Sequence, residues 1–396
     1  MILQLKVIAV KTTFFLTTTM TESKPYRVLS LDGGGVRGLY SAVLLAELSR
    51  RFAAQDGAPE SPDFDLGAQF DMIVGTSTGA ILAVALASGV SLTKVAKLFR
   101  EKAAGIFQHP VPEGKLGLMG WISRHLCKPA NTPEALQAAL KEVLGDETVK
   151  QMYDRRGIAV CIPTLNVETN KAWVFKTPHA ERLHRDDNYK LVDVCMASAA
   201  APIVFPLKPI SKPGDENQTN WFTDGGLWAN NPALVALTEA LTMAEPGRSI
   251  QLMSVSTCPP FKGKTLNGNG GGRGLLGWRG GLGIVEVALD AQSFAYHYVT
   301  QAVADTANRP VEYVRLLDAD VPVEQAKHLG LDNPSKATLE LLTRLAHDAA
   351  DKNISAATAQ KNPTHPLIRE FFRGIQPTSE PSQPNSESNA TESGEQ

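Results

Sequence analysis

An α/β sandwich on a mainly parallel sheet is the fold class this sequence predicts, and two observations carry it. Tyr26-Arg27-Val28-Leu29-Ser30-Leu31 reads as a short strand. It runs into the glycine loop Asp32-Gly33-Gly34-Gly35-Val36-Arg37-Gly38, and a helical stretch at 39–54 follows with Leu44, Leu45 and Leu48 on one stripe. The apolar run 70–74 then ends in Gly75-Thr76-Ser77-Thr78-Gly79 and continues as an alanine-rich helical run to Ala87. Two strand–glycine turn–helix units in succession argue for parallel strands with helices packed on the sheet.

The remaining elements follow in order. The stretch 91–104 is helical, with Val95, Leu98 and Phe99 on one side, and 106–128 mixes prolines, glycines and apolar groups as a lid or rim would. Thr132 caps a helix that Pro133 opens and that runs to Leu144. The stretches 156–163 and 171–176 form a hairpin around Asn166-Val167-Glu168-Thr169-Asn170. A small-residue helix at 192–201 stops at Pro202, and 211–220 reads as a polar loop. Trp221-Phe222-Thr223-Asp224 ends a strand, and Asn230-Asn231-Pro232 opens the next helix. Strands at 250–257 and 311–316 flank a glycine-dense stretch at 263–283 and a helix at 285–304; a helix at 334–350 is capped by Asn333. The expected division is a flexible extension at 1–24, a catalytic domain at 25–370 and a disordered polar tail at 374–396.

The net charge of -2 favours neither DNA nor RNA as a bulk electrostatic partner. Four widely spaced cysteines without a C-x-x-C fit free thiols in a reducing compartment rather than disulfides or zinc. No His/Cys/Asp cluster suggests a metal. Residues 1–20 are too short and too interrupted by lysine to span a membrane.

G-x-S-x-G between a strand and a helix is a setting for a nucleophile. The flanking glycines leave room for a sharp turn that holds the Ser77 hydroxyl clear of the chain at a helix N-terminus. An ordinary glycine-rich turn is the other reading. A serine needs a base and a pocket for the oxyanion. Gly33-Gly34-Gly35 can supply converging N–H groups; a phosphate cradle is the competing use, but it lacks the P-loop lysine. For the base, His297, His328, His347 and His365 follow the serine without a convincing loop setting. Asp224 stands at a strand end before Gly225-Gly226, where a carboxylate can be held close to the serine, and a plain turn aspartate stays open.

Taken together, Asp32-Gly33-Gly34-Gly35-Val36-Arg37-Gly38, Gly75-Thr76-Ser77-Thr78-Gly79 and Asp224-Gly225-Gly226 resemble the patatin-like phospholipase family over about 27–316, with no departure from its motifs. That resemblance implies a three-layer α/β/α sandwich with a mainly parallel central sheet. It also implies a Ser-Asp dyad without histidine, acting on ester bonds of phospholipids and related acyl lipids. Carried onto this chain, Ser77 is the nucleophile and Asp224 the general base. Gly34 and Gly35, with Gly33 as a third candidate, form the oxyanion hole. Arg37 matches the family's basic position, where it steadies the loop or meets the lipid phosphate. No cofactor is implied for the chemistry.

Val174-Phe175-Lys176-Thr177-Pro178-His179, Ser198-Ala199-Ala200-Ala201-Pro202 and Asp224–Pro232 are similar to bacterial patatin-like effectors of cyclic-oligonucleotide anti-phage signalling, although ordinary bacterial patatins share much of these stretches. This finer likeness implies a cyclic dinucleotide activator, a phospholipid membrane as substrate, and a cytoplasmic enzyme working at the inner membrane face. A homo-oligomer is compatible with it. The nucleotide pocket is not placed; the helices after Ser91 are where it is sought. Access to a bilayer requires apolar surface, and 116–121 and 275–278 are expected near the site mouth, with loop groups folded onto the domain as the equal alternative. An unregulated lipid hydrolase or acyltransferase, and a catalytically silent nucleotide- or lipid-binding module, remain as alternatives.

Overall fold

The computed structural model describes residues 24–61, 63–112, 114–259, 274, 278, 281–359 and 366–378. Its strands are β1 (Tyr26–Leu31), β2 (Met72–Gly75), β3 (Ala159–Asn166), β4 (Lys171–Lys176), β5 (Lys208–Lys212), β6 (Asp215–Asp224), β7 (Ile250–Val255) and β8 (Val311–Arg315). The helices are α1 (Gly38–Gln55), α2 (Thr78–Ala87), α3 (Leu92–Ile106), α4 (Lys115–His125), α5 (Glu134–Leu144), α6 (Val149–Arg156), α7 (Leu191–Ser198) and α8 (Gly226–Ala229). They continue with α9 (Ala233–Met243), α10 (Leu282–Thr306), α11 (Val323–Ala326), α12 (Lys336–Thr358) and α13 (Pro366–Phe372).

One sheet runs β5-β6-β3-β2-β1-β7-β8, with β4 also on β3. Among the described residues four pairings are parallel and three antiparallel. The parallel part is the centre, and the antiparallel strands gather at one end. Strand side chains alternate between faces. Leu29, Leu31 and Ile73 join the larger core with α1, α2 and α12, while Val28, Met72 and Val74 pack with α9 on the opposite face. Both faces are covered, which is why the central strands are mostly apolar.

The way three strands share β3 positions the site. β4 lies along one edge of β3, from Cys161 to Asn166. On the other edge, β2 runs parallel to Ala159–Cys161 and β6 runs antiparallel to Thr164–Asn166. β2 and β6 therefore meet end to end, and their last residues lead into Ser77 and Asp224.

Some expectations change. The stretch 211–220 is not a loop but most of the β5–β6 hairpin. Its side chains are largely exposed, so pairing depends on the backbone and leaves no apolar alternation to read. Asn333 does not cap α12. Its Oδ1 accepts the Ser335 N–H, and Ser335 is the cap, its Oγ accepting the Thr338 N–H. Residues 374–378, expected to begin the polar tail, run alongside 63–65, with Phe64 bridged to Pro377. Residues 1–23 and 379–396 lie outside the described residues. The 106–128 segment contains α4, and Trp121, expected at the surface, is only 6% exposed because its Nε1 donates to the His109 carbonyl at 3.0 Å and its ring packs on His125. Leu116 and Met119 are the exposed groups there. Of 275–278, only Trp278 is described, and it is half-buried.

Candidate active site

Gly75 and Gly79 make the turn around Ser77 possible. A Cβ on Gly75 would run into the Gly79 carbonyl, and one on Gly79 into the Leu31 carbonyl. Ser77 itself has φ 55° and ψ -122°, a conformation that L-residues avoid and that costs about 1–3 kcal/mol. Local bonds hold it there. The Ser77 N–H donates to Ser198 Oγ at 2.9 Å, which donates to the Pro163 carbonyl at 2.7 Å. Thr76 Oγ1 donates to the Ala229 carbonyl at 2.6 Å.

Asp224 is fixed by the segment after α7. Its N–H and the Thr223 hydroxyl both donate to the Ala200 carbonyl. Its Oδ1 accepts the Gly226 N–H at 2.7 Å, and its Oδ2 accepts the Ser77 hydroxyl at 2.8 Å. Both side chains are buried. Burial pushes the Asp224 carboxyl up to about 6, and the bonds from Gly226 and Ser77 pull it back only in part. No histidine among the described residues bonds to either group. His297 bonds to the Tyr313 hydroxyl instead, and His365 lies outside the described residues.

The glycine loop lies against this pair. Gly33, one of the three expected oxyanion donors, is corrected: its N–H already donates to the Asn230 carbonyl at 2.8 Å. The Gly34 and Gly35 N–H groups donate to no acceptor among the described residues. Both line a cavity of about 130 Å³ together with Ser77 and Asp224. Gly35 has φ 57°, and a Cβ there would strike the Leu331 carbonyl, so no other residue fits. The Ser77 N–H is spent on Ser198 and is not free to meet an oxyanion. The rest of the cavity is mostly apolar, walled by Ile81, Leu98, Phe99, Ile106, Phe107 and Phe205 with Thr78, Asn230, Glu286 and Asp332 as its further polar groups, and suits an acyl chain.

A model of the patatin-like phospholipase family matches residues 29–237, more than half of the chain. The chain belongs to this family. A cGAMP-activated phospholipase of Vibrio cholerae is 33% identical to it, the match covering 85% of this chain and 95% of that protein. Proteins of the same description from Pseudomonas aeruginosa and Escherichia coli are 32% and 30% identical, covering 89% and 87% of this chain and 96% and 92% of theirs.

In this patatin-like phospholipase Arg37 is buried, facing Asp290 and Glu286 of α10. Burial pulls its pKa down and the Asp290 carboxylate opposes that pull. Of its two expected roles, this setting fits loop support rather than contact with a lipid phosphate. Sequence reading missed four supports. Ser198 takes the Ser77 N–H, Asn230 takes the Gly33 N–H, Leu331 takes the Val36 N–H, and Arg315 pairs with Asp32 at the start of the loop. Ser198 and Asn230 stood in quoted motifs without a role; Leu331 and Arg315 carry no local signal. A Cys161-His179-Glu239 cluster also forms, but Lys176 Nζ lies 2.5 Å from Glu239 Oε2 and already supplies its cation.

The raised Asp224 pKa gives a pH prediction. The carboxylate accepts a proton only when ionised, so kcat/KM on a soluble ester should fall about tenfold per pH unit below pH 6 and level off above it. A profile flat through pH 6 would exclude Asp224 as the base.

Proposed function

We propose that this chain hydrolyses membrane phospholipids with Ser77 as nucleophile and Asp224 as general base, and that a cyclic dinucleotide switches it on. The observation that carries the first half is the 2.8 Å bond from a strained, buried serine to a buried carboxylate with no histidine between them. Asp224 takes the hydroxyl proton as Ser77 attacks the acyl carbonyl. The Gly34 and Gly35 N–H groups meet the oxyanion, and the departing lysolipid receives the proton. Water activated by the same carboxylate then frees the fatty acid. The apolar cavity supports a long acyl chain as the group transferred.

The second half rests on relatives described as cGAMP-activated phospholipases that align over nearly their whole length. A role in anti-phage defence at the inner face of the membrane is part of the same proposal and rests on the likeness of Val174–His179, Ser198–Pro202 and Asp224–Pro232 to bacterial patatin-like effectors. Among the described residues no helix is long and apolar enough to cross a membrane. The test is fatty-acid release from mixed phospholipid liposomes with and without a panel of cyclic dinucleotides, with Ser77→Ala as control. Release with one dinucleotide alone is the expected result. Equal release without nucleotide would remove the switch and leave the hydrolase.

A further inference from the structure

Helix α10 is inside out. Gln292 Oε1 accepts the Asn231 N–H, and Ser293 takes bonds from both Asn230 and Asn231. His297 meets Tyr313, and Asp290 faces the buried Arg37. These polar groups point into the protein. The outward positions are Ile284, Val287, Ala288, Ala291, Phe294, Ala295, Tyr298 and Val299, with no charge among them. Ile284 is 52%, Val287 55% and Tyr298 75% exposed. A surface helix ordinarily shows the reverse pattern. From 284 to 299 this face is about 22 Å long at 1.5 Å per residue, more than a scatter of single apolar groups.

We propose that the outward face of α10 is the surface by which this protein lies on a phospholipid bilayer. The inference rests on the phospholipase reading for its substrate, and on continuity with the cavity for its occupant. Val285 and Leu289, within two residues of Val287 on the same helix, line the cavity beside Ser77; Leu227, another cavity wall, is exposed at 44%. Contact with lipid here lets an acyl chain pass from the bilayer to the serine without crossing water. A second copy of the chain seated on the same face would cover the rim through which the chain must enter. The lack of charge suits the acyl boundary rather than an ionic partner. Tyr298 adds an aromatic ring of the kind that settles at the headgroup level.

The test reads binding on the full chain carrying Ser77→Ala, with vesicles of phosphatidylethanolamine and phosphatidylglycerol, with and without the cyclic dinucleotide panel. Adding Val287→Glu and Tyr298→Glu should lower vesicle partitioning by about tenfold or more. On the Ser77 background the same pair should lower vesicle hydrolysis to match, while hydrolysis of a dispersed short-chain ester stays within about twofold. Unchanged partitioning overturns the proposal. So does a wild-type dimer that the two substitutions dissolve with vesicle binding intact, which would assign the face to a second copy. Val287→Trp guards against a variant that fails to fold: its added emission should shift to the blue and be quenched by brominated lipid. Water-like emission from vesicle-bound protein overturns the proposal as well. Vesicle binding by the Ser77 chain without fatty-acid release would keep the docking face and reject the phospholipase reading.

Discussion

Asp224→Asn is expected to cut kcat/KM on phospholipid by at least about 10⁴-fold and, at the same time, to stabilise the fold at pH 7 by about 3 kcal/mol. The loss follows from the only route the described bonds offer the serine proton, the 2.8 Å contact with Asp224 Oδ2. The gain follows from burial. In the native state the carboxyl titrates near 6 rather than 3.8, so between those values the folded chain holds a proton that the unfolded chain has lost. Native stability therefore declines as pH rises through that window, and above about pH 6 the full cost of an ionised buried carboxylate is present. Asparagine keeps the shape, still accepts from Gly226, and carries no charge. Thermal melts of both chains from pH 4 to 8 should diverge through that window, the variant being the more stable above it. Equal melting at pH 7 would mean that Asp224 is not held at this cost. Ser77→Ala should match the catalytic loss without the pH-dependent gain.

Arg315→Ala is expected to cost about 3–5 kcal/mol. Asp32 begins the glycine loop directly after β1, and Arg315 ends β8, two strands away. Its guanidinium passes over the end of β7, donating to Ser254 Oγ at 2.6 Å and pairing with both carboxylate oxygens of Asp32. Burial works against the guanidinium charge, and the Asp32 carboxylate overrides it, holding Arg315 above its ordinary range. Removing the arginine leaves a buried carboxylate without its partner at the root of the loop that offers Gly34 and Gly35 to the substrate. Chemical denaturation of Arg315→Ala, Asp32→Asn and the double variant measures the coupling. The double variant should be clearly more stable than the sum of the single losses predicts. A loss under about 1 kcal/mol for Arg315→Ala would place this pair among weak surface contacts.

Much of the local structure was legible before any coordinates. The strand–turn–helix units, the glycine loop and Ser77 are encoded within a few residues, because apolar periodicity and glycine placement report directly on backbone conformation. Asp224 needed the family resemblance, since a strand-end aspartate before two glycines has many uses. The edge hairpin β5–β6 was lost because its side chains face water and carry no alternation.

The sequence by itself determined the fold class, the nucleophile's turn and the family. The tertiary structure alone decided which groups meet. Ser77 and Asp224 are 147 residues apart and touch because β2 and β6 share one edge of β3. That register is set by packing on both faces of the sheet, which no short motif records. The same holds for the Gly33 N–H spent on Asn230, for Trp121 turned inward against His125, for Arg315 reaching Asp32, and for the apolar face of α10 turned outward. Each depends on where a second, distant segment lies, and a side chain's role is fixed only when that neighbour is in place.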